Sequence, residues 1–424
     1  MRVSTLQNRL IGLATCGVVC LGLLLTAAVR LPQDEGAFSL GTASCFDLVE
    51  EGGALHILAG LPGEGEVTSI QLFHTRSEDG GATWSAPVPV DTTHAPPGRH
   101  HRGNDPQLAV HGDRLLAVWT AQGDGPWGSG PLGASLSKDG GQTWQAVAAP
   151  AVPGAGEVAG YRFPAVAATP EGFHAIWIHA EEKERSLRYA KMPVGAGLWT
   201  QPAVIDPRIC ACCWNRLKVD GNGRLLALYR DHDPSDMALA ISEDGGDTWT
   251  RQGSTGDFGW FFEGCPHIGG ALASLPKSEG QVEGLLATVW SGHETLGGTY
   301  ILRSLDLGQT WDFQRAPGSH ERGRRTADLE VFAEGTAIFA WDEHPEAGER
   351  TVFFATSTDR GATWSIPSRL SSPGRAATHP RVVVSGETAF IAWTETGESG
   401  TATLAHRIVR EVPVAARSLA GASR

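Results

Sequence analysis

The chain has 424 residues, among them 54 Gly, 25 Pro and 14 Trp but only 3 Met. That length admits two or three ordinary domains or one large barrel or propeller, and short Val/Leu/Ala runs broken by turn residues favour an all-β chain over a helical one. A formal net charge of −13 argues against nucleic acid or an anionic membrane surface as the main partner.

At the N-terminus, Arg2 and Arg9 precede an apolar run from Leu10 to Val29. This is the pattern of an export signal. The run is about as long as a bilayer is thick and no clear small-x-small site follows it, so residues 1–30 read as either a cleaved signal peptide or an uncleaved anchor through 10–29. Cys16 and Cys20 lie inside it, in contexts that match a lipoprotein box poorly. Both readings put the body of the protein outside the cytoplasm, in the periplasm or beyond the cell. Without the leader, five cysteines remain: Cys45, Cys210, Cys212, Cys213 and Cys265. An odd number in an oxidising compartment leaves at least one thiol free, metal-bound or paired outside the chain.

After a linker at 31–44, strand-like runs and tight turns alternate to about residue 410, before a tail at 411–424. Five turns share one pattern: SEDGGATW (77–84), SKDGGQTW (137–144), SEDGGDTW (242–249), SLDLGQTW (304–311) and STDRGATW (357–364). The gap between Trp144 and Trp249 is about double the others, and SLRYAKMPVGAGLW, ending at Trp199, divides it as a degenerate copy. Ahead of each box come two apolar runs, the second often ending in Trp, as in LLAVW at 115–119 and AIFAW at 337–341. In the S-x-D-x-G-x-T-W motif the Ser and Asp bond to turn backbone, the Gly supplies a conformation other residues resist, and the Trp packs beneath. We therefore read Asp79, Asp139, Asp244, Asp306 and Asp359 as turn formers. Repeats of about 50–60 residues, each a few strands, fit the blades of a β-propeller. Seven four-stranded blades over 45–410 are favoured, with six plus an extra sheet as the alternative.

The repeat resembles the Asp-box, or BNR repeat, of the sialidase superfamily, and the resemblance spans nearly the whole exported body. Sialidases have six blades, so a count of seven departs from the family.

Aligning the blades on Pro106, Pro164, Pro266 and Pro380 brings the unusual residues to one end of the axis. Blade one contributes Cys45 and Asp47, and blade two His100, His101, Arg102, Asn104 and Asp105. Blade three contributes Tyr161 and Arg162, and blade four Cys210, Cys212, Cys213, Trp214, Asn215 and Arg216. Glu263, Cys265 and His267 come from blade five, Arg324, Arg325 and Asp328 from blade six, and His379 and Arg381 from blade seven. Because consecutive blades are neighbours, Cys210, Cys212, Cys213, Cys265 and His267 form a candidate soft-metal site for Cu(I) or Zn. The alternatives are an inter-blade disulfide such as Cys213 to Cys265, or inert buried thiols.

The sialidase resemblance implies three arginines on the substrate carboxylate, an Asp acid/base and a Tyr nucleophile activated by Glu. YRFP at 161–164 looks like the family's FRIP, which would make Arg162 one of those arginines, although here it follows the second box rather than preceding the first. Arg102, Arg216, Arg230, Arg325 and Arg381 are further candidates, and Asp105, Asp231 or Glu263 would serve as acid/base. The only tyrosines are Tyr161, Tyr189, Tyr229 and Tyr300, none in the last two blades where the family's nucleophile would be sought. The expectation is thus an exported propeller whose Cys/His/Arg-rich central pocket binds a soft metal or a small anionic ligand. An exo-sialidase acting on glycans and a non-catalytic interaction scaffold are the alternatives.

Overall fold

The computed structural model describes residues 41–62, 70–98, 102–125, 128–152, 160–181, 184–262, 264, 266–278, 280–318, 325–344 and 348–410. The leader with its 10–29 run and the 411–424 tail lie outside the described residues, as do Glu263, Cys265, Arg324, His100 and His101. Among the described residues no helix is long and apolar enough to cross a membrane.

Six four-stranded antiparallel sheets and one three-stranded sheet follow one another along the chain. Their first strands are Cys45–Glu51, Gln107–His111, Gly160–Thr169, Arg216–Val219, Ala271–Leu275, Ala327–Val331 and Ala376–Ser385. Each touches the next and the last touches the first, so together they line the axis of a seven-bladed propeller. The third blade carries the degenerate box, whose Trp199 Nε1 donates to Ala148 O of the second blade at 2.8 Å. In the seventh blade the fourth edge is supplied from the other end of the chain: Ala43 N–H donates to Ala402 O (3.1 Å) and Thr42 bridges Thr403. Ring closure of this kind leaves no exposed strand edge at the seam.

The apolar runs of the sequence become the faces where blades meet. Among the described residues seven core clusters form, one in each interface; between blades three and four, Phe163, Ile176 and Leu187 pack on Leu217, Leu225 and Tyr229. Trp119, Trp177, Trp341 and Trp393, which lie within second strands, are fully buried. Each fully buried Leu, Ile or Phe contributes about 1.5–3 kcal/mol relative to exposure, so the interfaces hold the ring together.

The Asp-boxes behave as their residues dictate. Ser77 Oγ donates to Asp79 Oδ1 (2.8 Å) and accepts Gly81 N–H (2.8 Å), while Asp79 takes Thr83 N–H (2.8 Å) and the Thr83 hydroxyl (2.6 Å). The same bonds recur around Asp139, Asp244, Asp306 and Asp359. The Thr83 hydroxyl and amide hold the Asp79 carboxyl down to about 2. The box glycine is required twice over in blade four: Gly246 has φ +97°, and a Cβ there would lie 1.7 Å from Tyr189 Oη on the preceding blade.

Candidate functional site

The first strands begin at one end of the ring, and the loops that enter them build a cup on the axis. Its lining includes Arg102, Asp105, Gln107, Trp214, Asn215, Arg216, Thr326, His379 and Arg381. Its enclosed space is about 30 Å³, and about 430 Å³ when the open mouth is included. Arg216 and Arg381 also line a channel that continues along the axis past Glu50, Lys218 and Glu330.

Three guanidinium groups enter the cup, and each is held differently. Arg102 Nε donates to Asp105 Oδ1 (2.9 Å), its Nη1 donates to Thr394 Oγ1, and its plane lies 5.1 Å from the centre of the Phe46 ring. Arg381 is pinned between two buried carboxylates, Nη2 to Asp47 at 2.7 Å and Nε to Asp328 at 3.1 Å. Arg216 is the loosely held one. Its closest acid is Asp328 at 3.5 Å, and its buried Nε has no hydrogen-bond partner among the described residues. Burial and the neighbouring Arg381 push the Arg216 guanidinium below its ordinary value. Beside it, Asn215 Nδ2 donates to Phe163 O (2.8 Å), but the buried Asn215 Oδ1 is also unpartnered among the described residues. Each of these buried atoms thus lacks a protein partner among the described residues, and a permanently unmade bond costs about 1–3 kcal/mol.

The aromatic wall of the cup comes from the opening of the cysteine loop. Trp214 lies against the backbone of Gly103 and Gly269: a Cβ on either would come within 2.7 Å and 2.3 Å of its ring. Across from it, 6.2 Å between ring centroids, stands His379. His379 has φ +54° and precedes Pro380, inside the β-bulge where pairing slips between Thr378 and Arg381. Bulges of this sort re-aim a side chain at the end of a strand. The strain is balanced by hydrogen bonds, since His379 N–H donates to Thr326 Oγ1 (3.1 Å) and Asp342 Oδ2 (3.2 Å).

The same carboxylate sets the tautomer of the ring. Asp342 Oδ2 accepts the Thr326 hydroxyl and the His379 amide, and the Thr378 hydroxyl, bonded to the same oxygen, spends its proton there. Thr378 Oγ1 must then accept from His379 Nδ1, 2.8 Å away, which leaves Nε2 with the lone pair. Burial, reinforced by Arg102, brings the imidazole down to about 4, so it is neutral at neutral pH, with its Nε2 lone pair free to accept, and is a weaker base than an exposed imidazole.

The cysteine loop behind Trp214 packs three sulfurs together. Cys210 Sγ lies 3.4 Å from Cys212 Sγ and 3.9 Å from Cys213 Sγ, and the three lie within 4.8 Å of one another, a group able to hold a metal ion. All three are buried in the core between blades three and four. Cys210 and Cys213 are free thiols, as is Cys45, whereas Cys212 is in a disulfide whose other half lies outside the described residues. This corrects the expected Cys213 to Cys265 pairing: Cys213 keeps its thiol and the neighbouring Cys212 is the oxidised one. Burial pushes the Cys213 thiol up, but the Cys210 S–H, Arg230 and the Ile268 amide outweigh it and bring it to about 7. Cys210 is pushed up by its bond to Cys213 and by burial. Burial, and Asp105 after it, raises the isolated Cys45 to about 12.

Of the residues singled out from the sequence, Asp105 and Arg216 line the cup. Arg162 does not: it is buried with Nε on Ser129 Oγ (3.2 Å) and Nη1 toward Ala211 O (3.4 Å). Arg325 is buried against Pro317 O (3.0 Å) and Glu343 (3.3 Å). His267 is exposed and stands outside the group of three sulfurs, while Glu263 and Cys265 lie outside the described residues. All four tyrosines sit in blade interfaces rather than in the cup; Tyr229, for example, donates to Asp206 at 2.8 Å. The blade alignment placed Arg102, Trp214, His379 and Arg381 at the right level, but Thr326, Thr378 and Asp342 were missed. Their part depends on a bulge that leaves no mark in the sequence beyond His379-Pro380.

No protein-family model and no curated protein matches the chain. Among solved structures, it is similar to an ulvan lyase of a polysaccharide lyase family, bound to a ligand of glucuronic acid and sulfated rhamnose, with TM-score 0.58 and 10% identity over 88% of this chain and 94% of that one. The polysaccharide lyase Uly1 gives TM-score 0.53 and 10% identity over 91% and 94%. A Hadza microbial sialidase gives TM-score 0.46 and 16% identity over 80% and 73%. In fold the chain is a seven-bladed propeller with five Asp-boxes, similar to the solved polysaccharide lyases.

Proposed function

We propose that the axial cup binds the anionic group of an acidic saccharide and that His379 removes a proton from that saccharide. The observation that carries this reading is Arg216, a guanidinium lining the cup with Asn215 and held by its nearest acid only at 3.5 Å, its Nε without a partner among the described residues. A carboxylate or sulfate on the sugar takes the Arg216 Nε–H, a sugar hydroxyl donates to Asn215 Oδ1, and Trp214 offers a face for the ring. Neutralising a uronate carboxylate acidifies the adjacent C–H. His379 Nε2 takes that proton, the C–H electrons form a C=C bond, the glycosidic C–O bond breaks, and the proton passes on to the leaving oxygen. The shared fold supports this reading, since one structural neighbour is an ulvan lyase holding a glucuronic acid ligand.

A sialidase-type hydrolysis is supported less well. Among the described residues the cup presents one carboxylate, Asp105, already engaged by Arg102, and no tyrosine. We place the protein outside the cytoplasm, on the apolar run at 10–29 and on the disulfide at Cys212.

The test is incubation with a panel of uronate-containing polysaccharides and sialosides, read by the ultraviolet absorbance of unsaturated uronate and by release of free sugar. Unsaturated product is expected, with kcat/KM lowered about 100-fold or more in Arg216→Met, the scale of losing one charge-stabilising donor. Release of sialic acid without unsaturated product would establish the hydrolase instead. Absence of binding to every anionic glycan would refute the proposal and leave the scaffold reading.

A further inference from the structure

The cysteine loop has chemistry that the cup does not use. Cys210, Cys212 and Cys213 bring their sulfurs within 4.8 Å of one another, and their relative exposures are 9%, 3% and 1%. The loop is anchored at its start by backbone bonds to two neighbouring blades, Ile209 N–H to Arg185 O (2.9 Å) and Cys210 N–H to Arg230 O (3.0 Å).

Next to them is a buried cation without a bonded counter-ion. Arg230 is 1% exposed, and its hydrogen bonds go to the neutral carbonyls of Ile268 (3.1 Å), Ser235 (2.6 Å) and Trp290 (3.1 Å), with its plane 5.4 Å from the Trp260 ring. The buried Asp236 carboxylate is also close by, and the guanidinium charge favours further negative charge at the adjacent sulfurs. Thiolates bound to a monovalent ion supply it. Three sulfurs with no His, Asp or Glu in the group make a soft donor set suited to Cu(I).

The disulfide on Cys212 decides when the set is complete. We propose that Cys210, Cys212 and Cys213 form a redox-gated Cu(I) site, closed while Cys212 is disulfide-bonded and opened by a dithiol reductant. One thiolate of the reductant attacks the disulfide, its second thiol closes the reductant's own disulfide, and Cys212 and its former partner are released as thiols. Cu(I) then forms three Cu–S bonds as the sulfur-bound protons pass to buffer. The metal is taken up as Cu(I), so no further electron is needed.

The experiment titrates Cu(I) into the full chain, oxidised or pre-reduced with a dithiol and desalted anaerobically, in competition with bicinchoninate. One tightly held copper per chain is expected in the reduced protein and none in the oxidised protein. Cys210→Ser and Cys213→Ser each weaken binding by about 100-fold or more, since even outer-shell changes cost 10–100-fold. Cys45→Ser, which alters a free thiol outside the group, leaves uptake unchanged. Circular dichroism of each variant separates loss of the ligand from loss of the fold; if Cys213→Ser does not fold, Cys210→Ser alone reads the site. Equal uptake by oxidised and reduced protein overturns the gating. Uptake that survives both serine variants, or that is lost with Cys45, overturns the site.

Discussion

Three buried histidines make the propeller acid-sensitive well above the pH at which its carboxylates titrate. His56 and His74 face each other, Nδ1 to Nε2 at 3.1 Å, and a Cβ on the box glycine Gly141 of the next blade would meet the His74 ring at 2.2 Å. His174 bonds Tyr189 Oη (2.8 Å), itself beneath Gly246 of blade four, and Thr169 (3.0 Å). Burial lowers His56 and His174 from the ordinary 6.5 to about 4 and, with help from His56, lowers His74 to about 3. Because the folded values are depressed, the unfolded chain takes up these protons first. The stability they contribute is complete above pH 6.5 and is lost as pH falls toward 4. At 1.36 kcal/mol per decade, each such group loses about 2 kcal/mol between neutrality and pH 5, or about 6 kcal/mol for the three. That is comparable to the whole stability of an ordinary domain, about 5–15 kcal/mol. Urea unfolding at pH 7.5 and pH 5 should therefore show a sharp fall in midpoint at nearly constant slope, and His174→Gln should remove about a fifth of the fall, since burial holds His379 and His406 down to about 4 as well. A midpoint that holds steady to pH 5, or drops only below pH 4 where the Asp-box carboxylates protonate, would refute the reasoning.

Other outcomes follow from single contacts. Gly246→Ala places a non-glycine residue at φ +97° and a methyl on Tyr189 Oη, and should cost about 2–4 kcal/mol in chemical unfolding, where Gly223→Ala, at φ +80° with open space around it, should cost about 1–2 kcal/mol. His379→Gln should abolish turnover while leaving glycan affinity within about three-fold, measured by calorimetry, because the anion is held by Arg216 rather than by the imidazole. With His379 unprotonated above about 4, kcat/KM measured in brief assays should climb with pH through that value and then level; a limb near 6.5 would show a different base. Thr378→Val removes the acceptor of Nδ1–H and should lower kcat more than it raises KM.

Much of the architecture was legible because it is local and repeated. S-x-D-x-G-x-T-W specifies its own hairpin, since the Ser and Asp bonds, the left-handed glycine and the packed Trp all lie within eight residues. Counting the boxes with their strand pairs led to seven blades, and aligning strand starts brought Asp105 and Arg216 to one level. What lies outside the motif was harder to read. Arg162 and Arg325 occupy the expected level, yet they turn into carbonyls and a glutamate instead of the axis, and no spacing distinguishes them from Arg216.

By itself, then, the sequence determined the hairpins and the presence of cysteines at the head of blade four and favoured seven blades over six, because each rests on residues close together in the chain. Tertiary structure alone decided which arginine is left with an open donor, which tautomer His379 holds, and that Cys212 rather than Cys213 is oxidised. Those outcomes arise where four or five blades meet at the axis, between groups as far apart in sequence as Asp47 and Arg381, and depend on which charges close packing leaves without partners.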